Sequence, residues 1–297
     1  MPYAGELSAL LTAFLWAGSA LAFESASKRV GSLSVNFIRL LFGLILLCCF
    51  TAFNRGMVLP FDAGTHEWLW LGLSGLTGLV IGDFLLFKAF VIIGSRLSML
   101  MMTLVPPFTA FLGWIWLGEI MSVLNFVGMA VTLSGIAIVV LTGRDADGKS
   151  SFLRLPLKGL LFALGGALGQ ALGLVISKYG MGDYNAFAAT QIRVIAGLVG
   201  FGVLVILFRR IKPMIASFSD KKAVIGISLG SFLGPFLGIS FSLIAVQNTE
   251  TGIASTIMSI VPVIIIPPAI ILFRQKVSPR EVIGAIISVC GVAIFFL

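Results

Sequence analysis

Apolar residues fall in ten continuous runs, about Leu7–Phe23, Val35–Phe53, Trp68–Phe87, Leu97–Leu117, Val123–Leu141, Leu157–Ile176, Ala186–Phe208, Ala223–Val246, Ile253–Phe273 and Val282–Leu297. Most are close to the roughly 20 residues that a helix needs to cross the hydrocarbon of a bilayer. Strands of a membrane barrel would instead alternate over about ten residues. In hydrocarbon every backbone group must be paired within the protein, and a helix does this inside one segment. The pattern therefore predicts an all-α integral membrane protein with ten transmembrane helices. The lead Met1–Glu6 carries no basic residue, so the first run reads as a span and not as a cleaved signal.

The chain laid on itself shows a duplication. At an offset of 154, Gly5, Leu7, Ala9, Leu10, Ala13 and Ala17 fall on Gly159, Leu161, Ala163, Leu164, Ala167 and Ala171, and Ile38-Arg39 falls on Ile192-Arg193. After a two-residue slip, Gly78, Gly82, Ala89, Met102, Val105-Pro106, Gly128 and Gly135 fall on Gly234, Gly238, Ala245, Met258, Val261-Pro262, Gly284 and Gly291. Glycine, proline and arginine matched in two long registers mark an internal repeat. Five spans per half is an odd number, so the second copy enters the membrane from the opposite side. The expected organisation is two inverted five-helix repeats, residues 1–143 and 157–297, joined by a polar linker at 144–156. Inverted repeats place a binding site between the halves, near the bilayer midplane.

Composition agrees with the pattern. Of 297 residues 59% are apolar and 11% charged, with a mean hydropathy of +1.11, and a soluble chain of this size could not cover its core with so few charges. The net charge of +8 is spread over short gaps between runs and forms no continuous basic face, which argues against nucleic acid. Cys48, Cys49 and Cys290 read as small buried apolar residues without metal-ligand spacing. No metal, cofactor or catalytic motif appears. His66 stands alone in a loop, and there is neither a Gly-rich phosphate loop nor a Gly-x-Ser-x-Gly elbow, so the chain does not read as an enzyme.

Several short motifs then form a recognisable series. Leu15-Trp16-Ala17-Gly18, Phe37-Ile38-Arg39, Leu104-Val105-Pro106 and Leu117-Gly118-Glu119 resemble, in order, the motifs of the first, second and fourth spans of the drug/metabolite transporter superfamily, in its EamA-like ten-span branch. The second half keeps the proline as Pro262 but has Phe273-Arg274-Gln275 where the Gly-Glu motif would stand. The resemblance implies a multi-pass exporter or permease of small molecules, without bound cofactor, in the cell inner membrane.

Ionisable groups inside spans are costly and mark the positions most informative about function. Asp83 and Lys88 lie in the third span, five residues apart and so poorly placed to pair with each other; the second half has Ile239 in place of Asp83. Asp83 reads either as a structural buried pair or as a cavity carboxylate that takes a cation or a coupling proton. Arg39 and Arg193 read as helix-end anchors whose side chains snorkel, with Glu24 able to pair with Arg39 and Lys178 reaching the interface or Asp183. Trp16 and Gln170 are repeat mates on the first span of each half and suit a substrate with one apolar and one hydrogen-bonding end, or else are packing material. Met102 and Met258, beside Pro106 and Pro262, suit an adaptable pocket or plain packing. Gly72, Gly75, Gly78 and Gly82, with Gly226, Gly230, Gly234 and Gly238, form small-residue faces for packing or gating.

The function read from these residues is secondary-active transport of small polar or amphipathic metabolites, such as amino acids or drugs, by alternating access around a central cavity. The alternative is a membrane scaffold that transports nothing. Partners are a small-molecule substrate, the lipid bilayer and a possible coupling proton; the oligomeric state is open. Loops bearing Lys28, Arg29, Arg96, Arg144, Lys149, Arg154, Arg209, Arg210, Lys212, Lys221, Lys222, Arg274, Lys276 and Arg280 fall on one side, which by the positive-inside rule places both termini outside, whereas the resemblance implies both inside.

Overall fold

The computed structural model describes residues 3–142, 156–268 and 278–297, and among these it is helical with no strand. The linker up to residue 155, and Phe273, Arg274 and Gln275, lie outside the described residues. In the first half, α1 (Ala4–Val30) and α2 (Ser32–Arg55) are followed by α3 (Thr65–Ser74), which runs through a π-helical segment, Gly75–Gly82, into α4 (Asp83–Met102); α5 (Val105–Leu117) and α6 (Val123–Thr142) complete it. The second half has α7 (Leu157–Met181), α8 (Ala186–Leu207), a short α9 (Ile211–Ala216), and α10 (Lys221–Ser231), which passes through a π-helical segment, Phe232–Gly238, into α11 (Ile239–Asn248). Then come α12 (Thr251–Met258), α13 (Val261–Ile264) and α14 (Pro279–Ala293).

Nine helical stretches among the described residues are long and apolar enough to cross a membrane, and Val105–Leu117 is a shorter apolar helix. The protein is thus a multi-pass, all-helical membrane protein. Polar residues fix the helix ends. Asn185 caps α8 by accepting from the amides of Phe187 and Ala188, both at 3.1 Å, and Asp220 caps α10 by accepting from Ala223 at 3.0 Å. Gly118, with φ of +68°, ends α5 in a left-handed conformation that a side chain would disfavour.

Packing couples corresponding elements of the two halves. α1 lies along α10, its π segment and α11, while α7 lies along α3, its π segment and α4; α2 packs on α8, α5 on α12, and α6 on α14. Missing side chains make this possible. A Cβ on Gly173 would stand 2.7 Å from Gly78 Cα, and one on Gly135 would stand 2.5 Å from the Ser288 amide. In lipid, where no hydrophobic force drives helices together, such close backbone approach supplies the van der Waals contact. Gly75, Gly78 and Gly82 take part in this packing but Gly72 has nothing within 4 Å of where its Cβ would be, so the expected four-glycine face is a three-glycine one. Outward faces carry Ile45, Phe53, Val199, Val203, Ile206, Ile283 and Ile286, as lipid contact requires. Cys49 and Cys290 are among these exposed positions, not in the core as read from sequence, because apolar runs in a membrane protein turn apolar residues outward as well as inward.

Candidate functional site

Both fourth spans are broken next to the aligned prolines. The helix stops at residues 103–104 before Pro106 and at 259–260 before Pro262, equivalent positions in the two halves. Proline removes a backbone donor and crowds the preceding turn, so the chain restarts as a new helix with the proline in its first turn. The halves meet here: Thr109 and Ser255 share a hydroxyl hydrogen bond of 2.7 Å between α5 and α12. Met258 and Pro106 are buried, and Met102 and Pro262 are half-buried.

The second meeting point lies just after the first π segment. Gly82 presses its bare Cα against α7, where a Cβ would stand 3.2 Å from the Gln170 amide nitrogen. Gln170 Nε2 donates to Asp83 Oδ1 at 2.7 Å and to the Gly78 carbonyl at 3.2 Å, and Arg39 Nη2 pairs with Asp83 Oδ2. Both charged side chains are under a fifth exposed, and the Arg39 guanidinium also lies 5.5 Å from the centre of the Phe23 ring. One carboxylate therefore joins α2 and α4 of the first half to α7 of the second. Arg39 thus pairs with Asp83 and does not snorkel as expected; the Glu24 side chain, also expected beside Arg39, lies outside the described residues.

The repeat mates are arranged alike but differ in chemistry. The Trp16 indole lies on Gly238, where a Cβ would be 2.6 Å from Nε1, as Gln170 lies on Gly82. Ile239 stands where Asp83 stands, so Arg193 has no equivalent carboxylate. Arg193 is only 5% exposed, its carbonyl contacts Gly75, its Nη2 approaches Gly78, and its Nε lacks a hydrogen-bond partner. It is a buried residue at the interface between the halves and not the snorkelling anchor expected, because α3 covers α8 at that depth.

A third polar cluster ties the ends of α5 and α7 together. Lys178 Nζ lies 2.7 Å from Glu119 Oε1 and donates to the Thr249 carbonyl at 2.7 Å, so it reaches neither the interface nor Asp183 as expected. Glu119 Oε2 accepts from the Thr251 amide and hydroxyl at 2.8 and 2.6 Å, and Thr249 donates to Glu6 at 2.8 Å. Removing one member of a buried pair leaves the other charge unbalanced. Glu119→Gln is therefore expected to lower unfolding free energy in detergent by about 1–3 kcal/mol, discounted for the part-exposed lysine. Adding Lys178→Met should recover most of that loss in the same denaturation experiment. Nearby, in the loop between α2 and α3, burial pushes the Asp62 carboxyl up, but hydrogen bonds from the Tyr184 hydroxyl at 3.0 Å and from Arg55 outweigh it and hold the group below its ordinary range.

Lys88 faces away from this network. It lies 4.8 Å from the centre of the Phe84 ring and 5.8 Å from that of Phe162, at the wall of a cavity of about 430 Å³ between the start of α2, the first half of α4, the start of α7 and the end of α8. Asn36 and Lys158, which also line it, were passed over in the sequence reading, although an asparagine three residues from Arg39 within an apolar run was a signal to follow. Among the described residues no group of three or more His, Cys, Asp or Glu is placed to hold a metal.

Residues 3–141 and 157–297 each match the EamA-like transporter family. The chain belongs to that family. This EamA-like protein is also similar to an uncharacterized transporter of Clostridium kluyveri, 24% identical over 185 residues, which is 62% of this chain and 57% of that one. The chain thus aligns with little more than half the length of that relative. A solved crystal structure shares the fold, with a TM-score of 0.76 over 99% of this chain and 97% of the other at 17% identity.

Proposed function

We propose that this EamA-like protein is a secondary-active transporter, an exporter or permease of small polar or amphipathic metabolites such as amino acids or drugs, in the cell inner membrane. It has ten spans in two inverted five-helix repeats, residues 1–143 and 157–297, with a linker between, and it works by alternating access around the contact between the halves. The observation that carries this reading is the Asp83 carboxylate, one oxygen on Arg39 of its own half and the other on Gln170 of the opposite half. Protonation of Asp83 would release Arg39 and loosen the joint, coupling a proton to the movement of one half against the other. The broken fourth spans support the same reading, since interrupted helices at matching positions mark binding sites in transporters of this architecture.

Two measurements test it. Purified protein in vesicles with an imposed pH gradient should accumulate members of a labelled panel of amino acids, nucleosides and aromatic acids; no flux of any member, with correctly folded protein, would favour the scaffold reading. Reporter fusions after Leu141 and after Leu297 should read opposite sides of the membrane, because five spans separate them. Both on the same side would end the inverted-repeat proposal.

A further inference from the structure

We propose that the cavity beside Lys88 binds an amphipathic organic anion, which deepens the transport reading by naming the charge class of the molecule carried. The volume of about 430 Å³ is within the range of drug-sized ligand sites. Its walls include five phenylalanines, among them Phe84, Phe162 and Phe208, which offer apolar surface to a ring or chain. Among the described residues its charged lining groups are Lys88 and Lys158, with no carboxylate. Asp83, one residue from Phe84, is already held by Arg39 and Gln170. Both lysines are exposed, and Lys158 sits in the first turn of α7, where the helix dipole also favours an anion.

Asn36 supplies an independent observation. It is 2% exposed, its amide nitrogen donates to the Ser32 carbonyl at 3.0 Å, and its Oδ1 is buried without a partner. A buried acceptor left unpaired is costly, and a ligand N–H or O–H beside it would satisfy it. The cavity thus asks for three features in one molecule: an acidic group for the lysines, an apolar body for the phenylalanines, and a hydrogen-bond donor for Asn36. A dissolved metabolite and an anionic phospholipid both combine such an acid with an apolar body, and the cavity opens where helices begin and end.

Indole-3-acetate, indole-3-acetamide and tryptamine share a ring and an N–H donor but differ in charge, and equilibrium binding to the full chain in phosphatidylcholine nanodiscs compares them. Indole-3-acetate should bind about tenfold more tightly than the amide and the amine, the order of magnitude two part-exposed ion pairs supply. The Lys88→Gln, Lys158→Gln double variant should lose that preference, and arginine at both positions should keep it. Asn36→Leu should weaken indole-3-acetate toward the level of 1-naphthylacetate, which lacks the donor. Competition by added phosphatidylglycerol would assign the anion to the bilayer, and unchanged binding would assign it to solution. Equal binding of the three indoles, or a preference that survives the loss of both lysines, overturns the proposal. Binding is read without flux, so a chain that binds the anion but moves nothing across vesicles would refute transport alone.

Discussion

Asp83→Asn is expected to abolish pH-driven uptake and also to lower stability, and a second substitution should separate the two effects. Asparagine keeps the size of the side chain and an oxygen for Gln170, but it leaves the Arg39 guanidinium without its counter-charge in a region where that arginine is under a fifth exposed. Leaving one member of a buried pair alone costs about 3–5 kcal/mol, less where some water reaches it. Arg39→Gln in the same chain removes the orphaned charge, so the double variant should regain most of the lost melting temperature. It should still exchange substrate across vesicles yet fail to concentrate it under a pH gradient. A double variant that is stable and driven by the gradient like the wild type would remove Asp83 from coupling and leave the carboxylate as a strut.

What the amino-acid sequence could and could not tell follows from the range of each interaction. Spans are local facts, and the runs around Val35–Phe53 and Ala186–Phe208 became α2 and α8 with ends displaced by a turn or less. Asp83 was visible as an acid in an apolar run, and Trp16 and Gln170 as mates, since the repeat register assigns them equivalent places. Partners were not visible. Arg39 meets Asp83, 44 residues away, because α3 and α4 bring it beside α2, and nothing near Arg39 in the chain pointed to that carboxylate. Lys178 and Glu119 are 59 residues apart and meet only because α5 packs on α7. Side-chain period says which face is apolar but not which neighbouring helix covers it.

Gly75→Ala is expected to have the second large effect. A Cβ there would stand 2.4 Å from the Arg193 carbonyl oxygen and 3.0 Å from its Cα, backbone atoms of α8 that no rotamer change moves aside. The third span would have to separate from α8 along its length, and overpacking of this kind costs about 1–3 kcal/mol. It would also disturb Arg193 and, through the π segment, the approach of Asp83 to Gln170, so transport should fall by more than the loss of folded protein explains. Gly72→Ala, one turn earlier on the same helix, meets nothing within 4 Å and should be neutral or slightly stabilising, since alanine is the better helix former by up to about 1 kcal/mol. Equal effects of the two substitutions in reversible unfolding would show that helix propensity, and not contact with α8, governs this stripe.

The π-helical segments at Gly75–Gly82 and Phe232–Gly238 bear on how this protein tolerates changes in length. A π turn holds one residue more than the α turn it replaces, and each residue rotates a helix by about 100°. Loops between spans absorb an insertion or deletion without consequence for either neighbour, and the π segment offers the same tolerance inside a span: a one-residue deletion within Gly75–Gly82 that restored α geometry would remove the extra residue and leave Asp83 facing Gln170. The same deletion in the α-helical stretch Thr65–Ser74 would swing everything after it by about 100°, and Asp83 would leave Gln170 and Lys88 the ring of Phe162, with every codon for those residues intact. The third span is therefore a segment whose reading frame in space depends on where along it a residue is lost.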